Sequence, residues 1–232
     1  MSTPALEFVG VTKLYLAPRN RGSGIREKVY ALDHINLTVR PGERIGIIGR
    51  NGAGKTTLLR AIGGTVNLTS GHIRRRSFPR IVIALGGSFL SEFSGHENLY
   101  LYASLLGMLK TEVDRLYDWI VDFSGLQEVI NEPMRNYSNG MRTRLAFAIA
   151  TAGTPDIICL DELLSTGDLE FQQRSTKRLV ELSQAGTTTL ITHHDLFTLG
   201  NYANRLIWLE NGRVRGDGDP AQISALYKTS SP

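Results

Sequence analysis

The sequence predicts an α/β fold built on a parallel sheet, and three observations carry that prediction. An apolar run, Arg44-Ile45-Gly46-Ile47-Ile48, leads straight into a glycine-rich loop and then into helix-forming residues. A second apolar run, Asp156-Ile157-Ile158-Cys159-Leu160, ends in the acidic pair Asp161-Glu162. From Ser94 to Gly153, between the two, the composition turns helical. Strands buried on both faces of a parallel sheet read as continuous apolar runs, and ligands bind beyond their carboxyl ends.

The elements follow in order. Leu6-Glu7-Phe8-Val9 alternates weakly, and Ile35-Asn36-Leu37-Thr38-Val39 alternates cleanly with one apolar face, so both read as strands. Pro41-Gly42-Glu43 is a turn before the strand at 44–48. Leu58 to Ile62 suits a helix, and Ile81-Val82-Ile83-Ala84 suits a further strand. Ser94 with Glu97 makes a capping box ahead of a helix over 98–106. A second helical run begins at Thr111, with Val113, Leu116, Ile120 and Phe123 on one face. Asp168 to Ala185 is an amphipathic helix stopped by Gly186, and Thr187 to Thr192 and Arg205 to Leu209 are strands. Asn211-Gly212 is a hairpin turn between Leu206–Leu209 and Arg213–Arg215, and Asp219-Pro220 starts a last short helix.

Composition narrows the class. Of 232 residues, 41% are hydrophobic and 21% charged, which excludes wholesale disorder. The longest apolar-and-small run, Leu145 to Gly153, is far shorter than the roughly 20 residues of a spanning helix. No basic leader followed by an apolar stretch comes after Met1, so the expected location is cytoplasmic. Cys159 is the single cysteine, which excludes an internal disulfide and places an inert thiol in mid-strand. A net charge of +4 does not mark a nucleic-acid binder. Glycine, at 24 residues, exceeds average usage, so many backbone positions are tight.

Residues 49–56 fit the pattern G-x-x-x-x-G-K-[ST]. Glycines at 49, 52 and 54 let successive N–H groups point inward as an anion-binding concavity. The helix that follows aims its unpaired N–H groups at the same spot. Lys55 can reach the β- and γ-phosphates of a nucleotide, Thr56 can ligate Mg²⁺, and Thr57 can add an α-phosphate contact. Asp161, at the carboxyl end of its strand, can hold Mg²⁺ beside the phosphates. Glu162 is then placed to polarise a water for attack on the γ-phosphate.

Between these strands, Tyr137-Ser138-Asn139-Gly140-Met141-Arg142 runs into Thr143-Arg144-Leu145-Ala146-Phe147. With the loop before it and the acidic strand after it, this order resembles the ATP-binding subunit of an ABC transporter. The family signature usually reads LSGGQ, and Ser138-Asn139-Gly140-Met141-Arg142 stands in its place. The resemblance implies a P-loop NTPase (RecA-like) core with an N-terminal antiparallel β element and an inserted helical subdomain. The divisions expected are 1–93 and 154–232 for the core and 94–153 for the helical part. It implies ATP and Mg²⁺ as ligands. Gly49, Asn51, Gly52, Ala53, Gly54, Lys55, Thr56 and Thr57 would lie at the nucleotide, with Ser138, Asn139 and Gly140 as a second grip on phosphate. Leu164 to Asp168 occupies the place of the family's D-loop, so Asp168 joins the set. His194 resembles the switch histidine, and His193 is expected as a capping or surface residue. Tyr15 is similar to the aromatic that stacks on adenine, with Tyr30 a competing candidate.

Relatives usually carry a glutamine after the strand equivalent to 81–84; Leu85 falls there, followed by Gly86-Gly87-Ser88-Phe89. ATPase subunits of bacterial polysaccharide exporters share that wording and a stretch like Ser94-Gly95-His96-Glu97-Asn98. The resemblance therefore points to exporters of O-antigen, capsule, teichoic acid or galactan. Alternatives are a drug or lipid exporter subunit, or a soluble ABC ATPase outside transport. It implies a peripheral subunit on the cytoplasmic face of the bacterial inner membrane. Its partners would be a membrane-embedded permease docked near Leu85–Glu97 and a second copy set head to tail. The glycan would be recognised elsewhere, since only a short stretch follows Asn211-Gly212, and no nucleic acid is expected. Arg74-Arg75-Arg76 with Arg80 reads as solvated loop charge, and the basic stretch 18–28 as a contact for permease or anionic headgroups.

Overall fold

The centre of the molecule is the strand β3 (Arg44–Ile48), which pairs in parallel with strands from the far end of the chain. A computed structural model describes residues 3–16, 28–82, 89–161, 169–193 and 196–230. In chain order the remaining elements are β1 (Leu6–Leu16), β2 (Lys28–Val39), α1 (Lys55–Ile62), β4 (Ser70–Arg75) and β5 (Arg80–Val82). Then come α2 (Gly95–Leu105), α3 (Lys110–Ser124), α4 (Asn139–Thr151), β6 (Ile157–Asp161) and α5 (Leu169–Gln184). The chain closes with β7 (Thr188–Thr192), α6 (Leu196–Tyr202), β8 (Arg205–Glu210), β9 (Arg213–Gly218) and α7 (Pro220–Ser230).

Among the described residues, the main sheet has the order β5-β6-β7-β3-β8-β9, parallel except for β9. A smaller antiparallel sheet has the order β2-β1-β4. The parallel strands are buried on both faces, which is why they read as unbroken apolar runs. One hydrophobic cluster joins Ile45, Ile47, Cys159 and Ile207 to α1 and the smaller sheet. The other joins Ile48, Ile158, Leu160 and Ile191 to α2–α7, so the helical block shares its core with that face of the sheet. Each such Ile or Leu stabilises the fold by about 1.5–3 kcal/mol when fully buried.

Local chemistry sets the ends of these elements as expected. Ser94 Oγ accepts from Glu97 N–H at 3.1 Å while the Glu97 carboxylate accepts from Ser94 N–H at 2.8 Å, closing the capping box. Asn211 (φ 48°) and Gly212 (φ 76°) are both left-handed, as a tight two-residue hairpin between β8 and β9 requires. The strand expected over 81–84 is described from Arg80 to Val82, and residues 83–84 lie outside the described set. So do Leu85 with Gly86 and Gly87, and all of the basic stretch except Lys28, which opens β2.

Arg75 and Arg80 depart from the expectation of solvated charge, whereas Arg74 and Arg76 are exposed as expected. Arg74 and Arg75 belong to β4, and Arg75 donates from Nε to Ile62 O (2.5 Å) and from Nη2 to Ala61 O (2.6 Å). Those carbonyls lie at the carboxyl end of α1, where a cation meets the negative end of the helix dipole. Arg80 is 8% exposed; it donates to Ala152 O at 2.5 Å and Glu112 Oε1 at 2.7 Å. Arg178, its guanidinium 4.8 Å from the Trp119 ring centre, donates to Thr151 O and Gly153 O. Arg80 from β5 and Arg178 from α5 thus hold the carboxyl end of α4.

Candidate nucleotide site

The loop between β3 and α1 takes its shape from residues that touch distant backbone. Gly54 has φ 108°, and a Cβ there would collide with the Ala31 carbonyl oxygen of β2. At Gly49 (φ 153°) a Cβ would collide with the Leu209 carbonyl oxygen of β8. Only glycine tolerates both the angle and the approach. Around Gly52 (φ 81°) nothing lies within 4 Å of a Cβ position, so the middle of the loop is open on that side. Ala53 is buried, with its N–H bonded to Arg50 O (3.1 Å) and its carbonyl accepting from Gly212 N–H (3.1 Å). Asn51 lies at the exposed crest, and Thr57 follows Thr56 in the first turn of α1. The α1 N-terminus has no side-chain cap, which leaves its N–H groups available to an anion.

Lys55 folds over this loop: its Nζ donates to Gly49 O at 2.7 Å and to Arg50 O at 3.2 Å. Thr56 Oγ1 donates to Asp161 Oδ2 at 2.8 Å. The other carboxylate oxygen, Oδ1, accepts from Thr192 Oγ1 across the β6–β7 pairing. The carboxyl ends of two strands and the start of α1 therefore converge on one carboxylate. A hydroxyl and a carboxylate oxygen side by side are the hard donors that Mg²⁺ takes, so the residues fit that ion. Among the described residues no cluster of three or more His, Cys, Asp or Glu offers a softer metal site.

Two recesses flank the loop. One, of about 450 Å³, is lined by Ile48, Gly49, Arg50, Asn51, Lys55, His193, Leu196 and Tyr227. The other, of about 300 Å³, is bounded by Arg50–Ala53 and by Trp208–Asn211 of the β8 end. His193 is 4% exposed and faces the first recess, which corrects its reading as a surface residue. Burial follows from its place directly after the fully buried strand β7. Tyr227, on α7, is a site residue that the sequence reading missed, because nothing local connects the last helix with a loop some distance upstream.

Ser138 is the N-cap of α4, with Oγ accepting from Met141 N–H at 3.2 Å; Asn139 and Gly140 open that helix. None of these signature residues lines either recess of its own chain. Tyr15 on β1 is exposed, with Lys13 Nζ 4.8 Å from its ring centre. Tyr30 on β2 is also exposed, and its carbonyl lies under Gly212 beside the loop. Glu162, Asp168 and His194 lie outside the described residues.

A glycine loop set between the central strand and an uncapped helix, with a Thr–Asp oxygen pair at its mouth, defines a P-loop nucleotide-binding protein. The chain belongs to the ABC transporter family, as one of its ATP-binding subunits: the family model described as "ABC transporter" matches residues 32–165. It is 37% identical over 240 residues to the O-antigen export system ATP-binding protein RfbB of Klebsiella pneumoniae, covering 97% of this chain and 98% of that one. It is 33% identical over 227 residues to the teichoic acids export ATP-binding protein TagH of Staphylococcus haemolyticus, covering 94% of this chain and 86% of that one. Its fold matches a solved dimeric ATP-binding cassette bound to ADP and Pi, with a TM-score of 0.77 at 24% identity over 93% of this chain and 98% of that one. Among the described residues no helix is long and apolar enough to cross a membrane.

Proposed function

We propose that this chain binds ATP on the loop at 49–57 and hydrolyses it to drive a membrane exporter of a lipid-linked cell-surface polysaccharide. The meeting of Thr56 with Asp161 at the loop mouth is the observation that carries the reading. Backbone N–H groups of Gly49 to Gly54 and of the first turn of α1 receive the phosphate oxygens. Lys55 gives up its two loop carbonyls for oxygens of the β- and γ-phosphates. Thr56 and Asp161 would hold Mg²⁺, which when bound would supply charge that neutralises the phosphates. Glu162, the residue after Asp161, orients the attacking water and takes its proton as the bond to the leaving β-phosphate oxygen breaks. His194 steadies the γ-phosphate as a neutral imidazole. Tyr15 is the adenine contact, in competition with Tyr30.

Ser138 and Asn139, exposed at an N-terminus, and Gly140 beside them line no recess of their own chain and serve the nucleotide of a second copy, together with Asp168. The resulting head-to-tail pair docks on a membrane-embedded permease at the cytoplasmic face of the bacterial inner membrane. Leu85 to Glu97 is the docking segment, where Leu90 and Phe93 are exposed apolar residues. Relatives named for O-antigen and teichoic acid export support the glycan as cargo. Glu162→Gln is expected to lower turnover by about 1000-fold while retaining ATP and a dimer on gel filtration. Wild-type turnover in that variant removes Glu162 from its role. In cells, the same variant should leave lipid-linked glycan inside and none at the surface; an unchanged surface coat overturns the cargo.

A further inference from the structure

We infer that Tyr137 is a positioning residue for Ser138, tying the signature serine to the segment 91–96 so that displacing one displaces the other. The inference rests on the proposed role of Ser138 at a second copy's nucleotide. Segment 91–96 runs alongside 130–135 in a short ladder of backbone bonds. Arg135 N–H donates to Ser91 O (2.9 Å), Met134 N–H to Phe93 O (2.8 Å), Gly95 N–H to Glu132 O (3.1 Å) and His96 N–H to Ile130 O (2.7 Å). An ion pair, Arg135–Glu92 at 2.5 Å, adds to it. The buried Asn98 amide fixes the outer turn, with Nδ2 within 2.9–3.1 Å of the Leu90, Phe93 and Ser94 carbonyl oxygens. The turn that exposes Leu90 and Phe93 is therefore one stiff piece with the stretch leading to Ser138, which holds a short 3-10 turn at Met134–Asn136.

Tyr137 closes this link. It is buried beneath Gly95, and its hydroxyl donates to Val129 O at 2.6 Å. Burial pushes its phenol up to about 12, so it remains a donor at neutral pH. Gly95 is in contact: a methyl there would overlap the Tyr137 hydroxyl and lie 2.9 Å from Ile130 O. Gly95 is the first residue of α2, and Ser138, the N-cap of α4, follows Tyr137 directly. A shift at the start of α2 thus has no slack to take up before it reaches the start of α4. Packed interiors respond to such a shift by moving the neighbour rather than by compressing it.

Gly95→Ala, Tyr137→Phe, the double variant and Ser138→Ala test this in the full chain. The measurements are melting temperature, affinity for a fluorescent ATP analogue below the dimerising concentration, and steady-state kcat and KM. Gly95→Ala should keep the affinity within about twofold and lower kcat about tenfold, since a displaced reacting group costs that much or more. Adding Tyr137→Phe removes the overlapping hydroxyl and should restore at least about a third of the lost kcat. Wild-type kcat in folded Gly95→Ala, or a folded double variant no faster than Gly95→Ala, overturns the inference. If Gly95→Ala does not fold, Tyr137→Phe alone decides: kcat should fall about threefold at unchanged affinity through loss of the Val129 tie, and unchanged kcat overturns the inference. Wild-type turnover in Ser138→Ala overturns the underlying role of the serine instead.

Discussion

The Thr56 hydroxyl donates to Asp161 at 2.8 Å across 105 residues of sequence, joining the first turn of α1 to the carboxyl end of β6. The bond sets these two oxygens side by side, so in their proposed role as holders of Mg²⁺ they need little reorganisation. Asp161→Asn keeps the shape and removes the charge. Its Mg²⁺-dependent hydrolysis should fall about 100-fold, while nucleotide retention measured in EDTA changes little. Equal loss in both assays would mean that Asp161 shapes the loop rather than holding the ion.

Arg80→Leu should destabilise the fold. It leaves the Ala152 carbonyl and the Glu112 carboxylate without their cation, in a place where the arginine side chain is 9% exposed and the glutamate 29%. Removing one partner of a buried pair costs about 3–5 kcal/mol, and the half-open glutamate puts this one near the low end. At this chain length about 3 kcal/mol lowers Tm by roughly 6–12 °C. Burial alone pulls the Arg80 pKa down and Glu112 pulls it back, so Arg80→Leu with Glu112→Leu should melt above the single variant. A calorimetric scan of the three proteins decides it.

The capping box predicts an acid dependence with a definite sign. Ser94, first through its backbone N–H and then through its hydroxyl, holds the Glu97 carboxyl below its ordinary 4.5. The ionised group therefore stabilises the folded chain above that value, and the contribution is lost as pH falls through the lower folded pKa. Glu97→Ala should melt below wild type at neutral pH, and the gap should narrow as the pH falls below 4.5. A gap that stays constant over that range removes the carboxylate from the account.

Cys159 should be silent to thiol reagents in the native chain. It is fully buried in β6, and burial pushes the thiol pKa far up, which denies it both access and thiolate character. Labelling should begin only with global unfolding, so its rate should track the denaturant transition seen by circular dichroism. Prompt labelling in buffer would reveal local opening of the central sheet.

What was legible in the sequence was what local chemistry decides. The phosphate loop, the Ser94–Glu97 box and the Asn211-Gly212 turn each specify themselves within a few residues. Strands β3, β6 and β7 were legible because burial on both faces leaves an unbroken apolar run. Arg75, Arg80 and Arg178 were not, because their partners are helix-end carbonyls that sequence proximity does not reveal. His193 was misread for the same reason: a polar residue after a strand looks solvated unless α7 and the loop are known to face it. Tyr227 became visible only once the chain's last helix was seen against its first motif.

The position of β3 has a consequence for how this protein is made. Its neighbours are β7 and β8, and even the turn before it is pinned by Gly42 N–H donating to Thr188 Oγ1, 146 residues on. The phosphate loop is thus translated early but lacks the wall that β8 supplies until β8 has left the ribosome. At about 5–20 residues per second, that interval lasts roughly 8–30 s. Throughout it, ATP at cellular concentration has no shaped pocket to occupy. Once β8 is in place, nucleotide that binds the folded state alone stabilises it, so binding follows the assembly of the sheet.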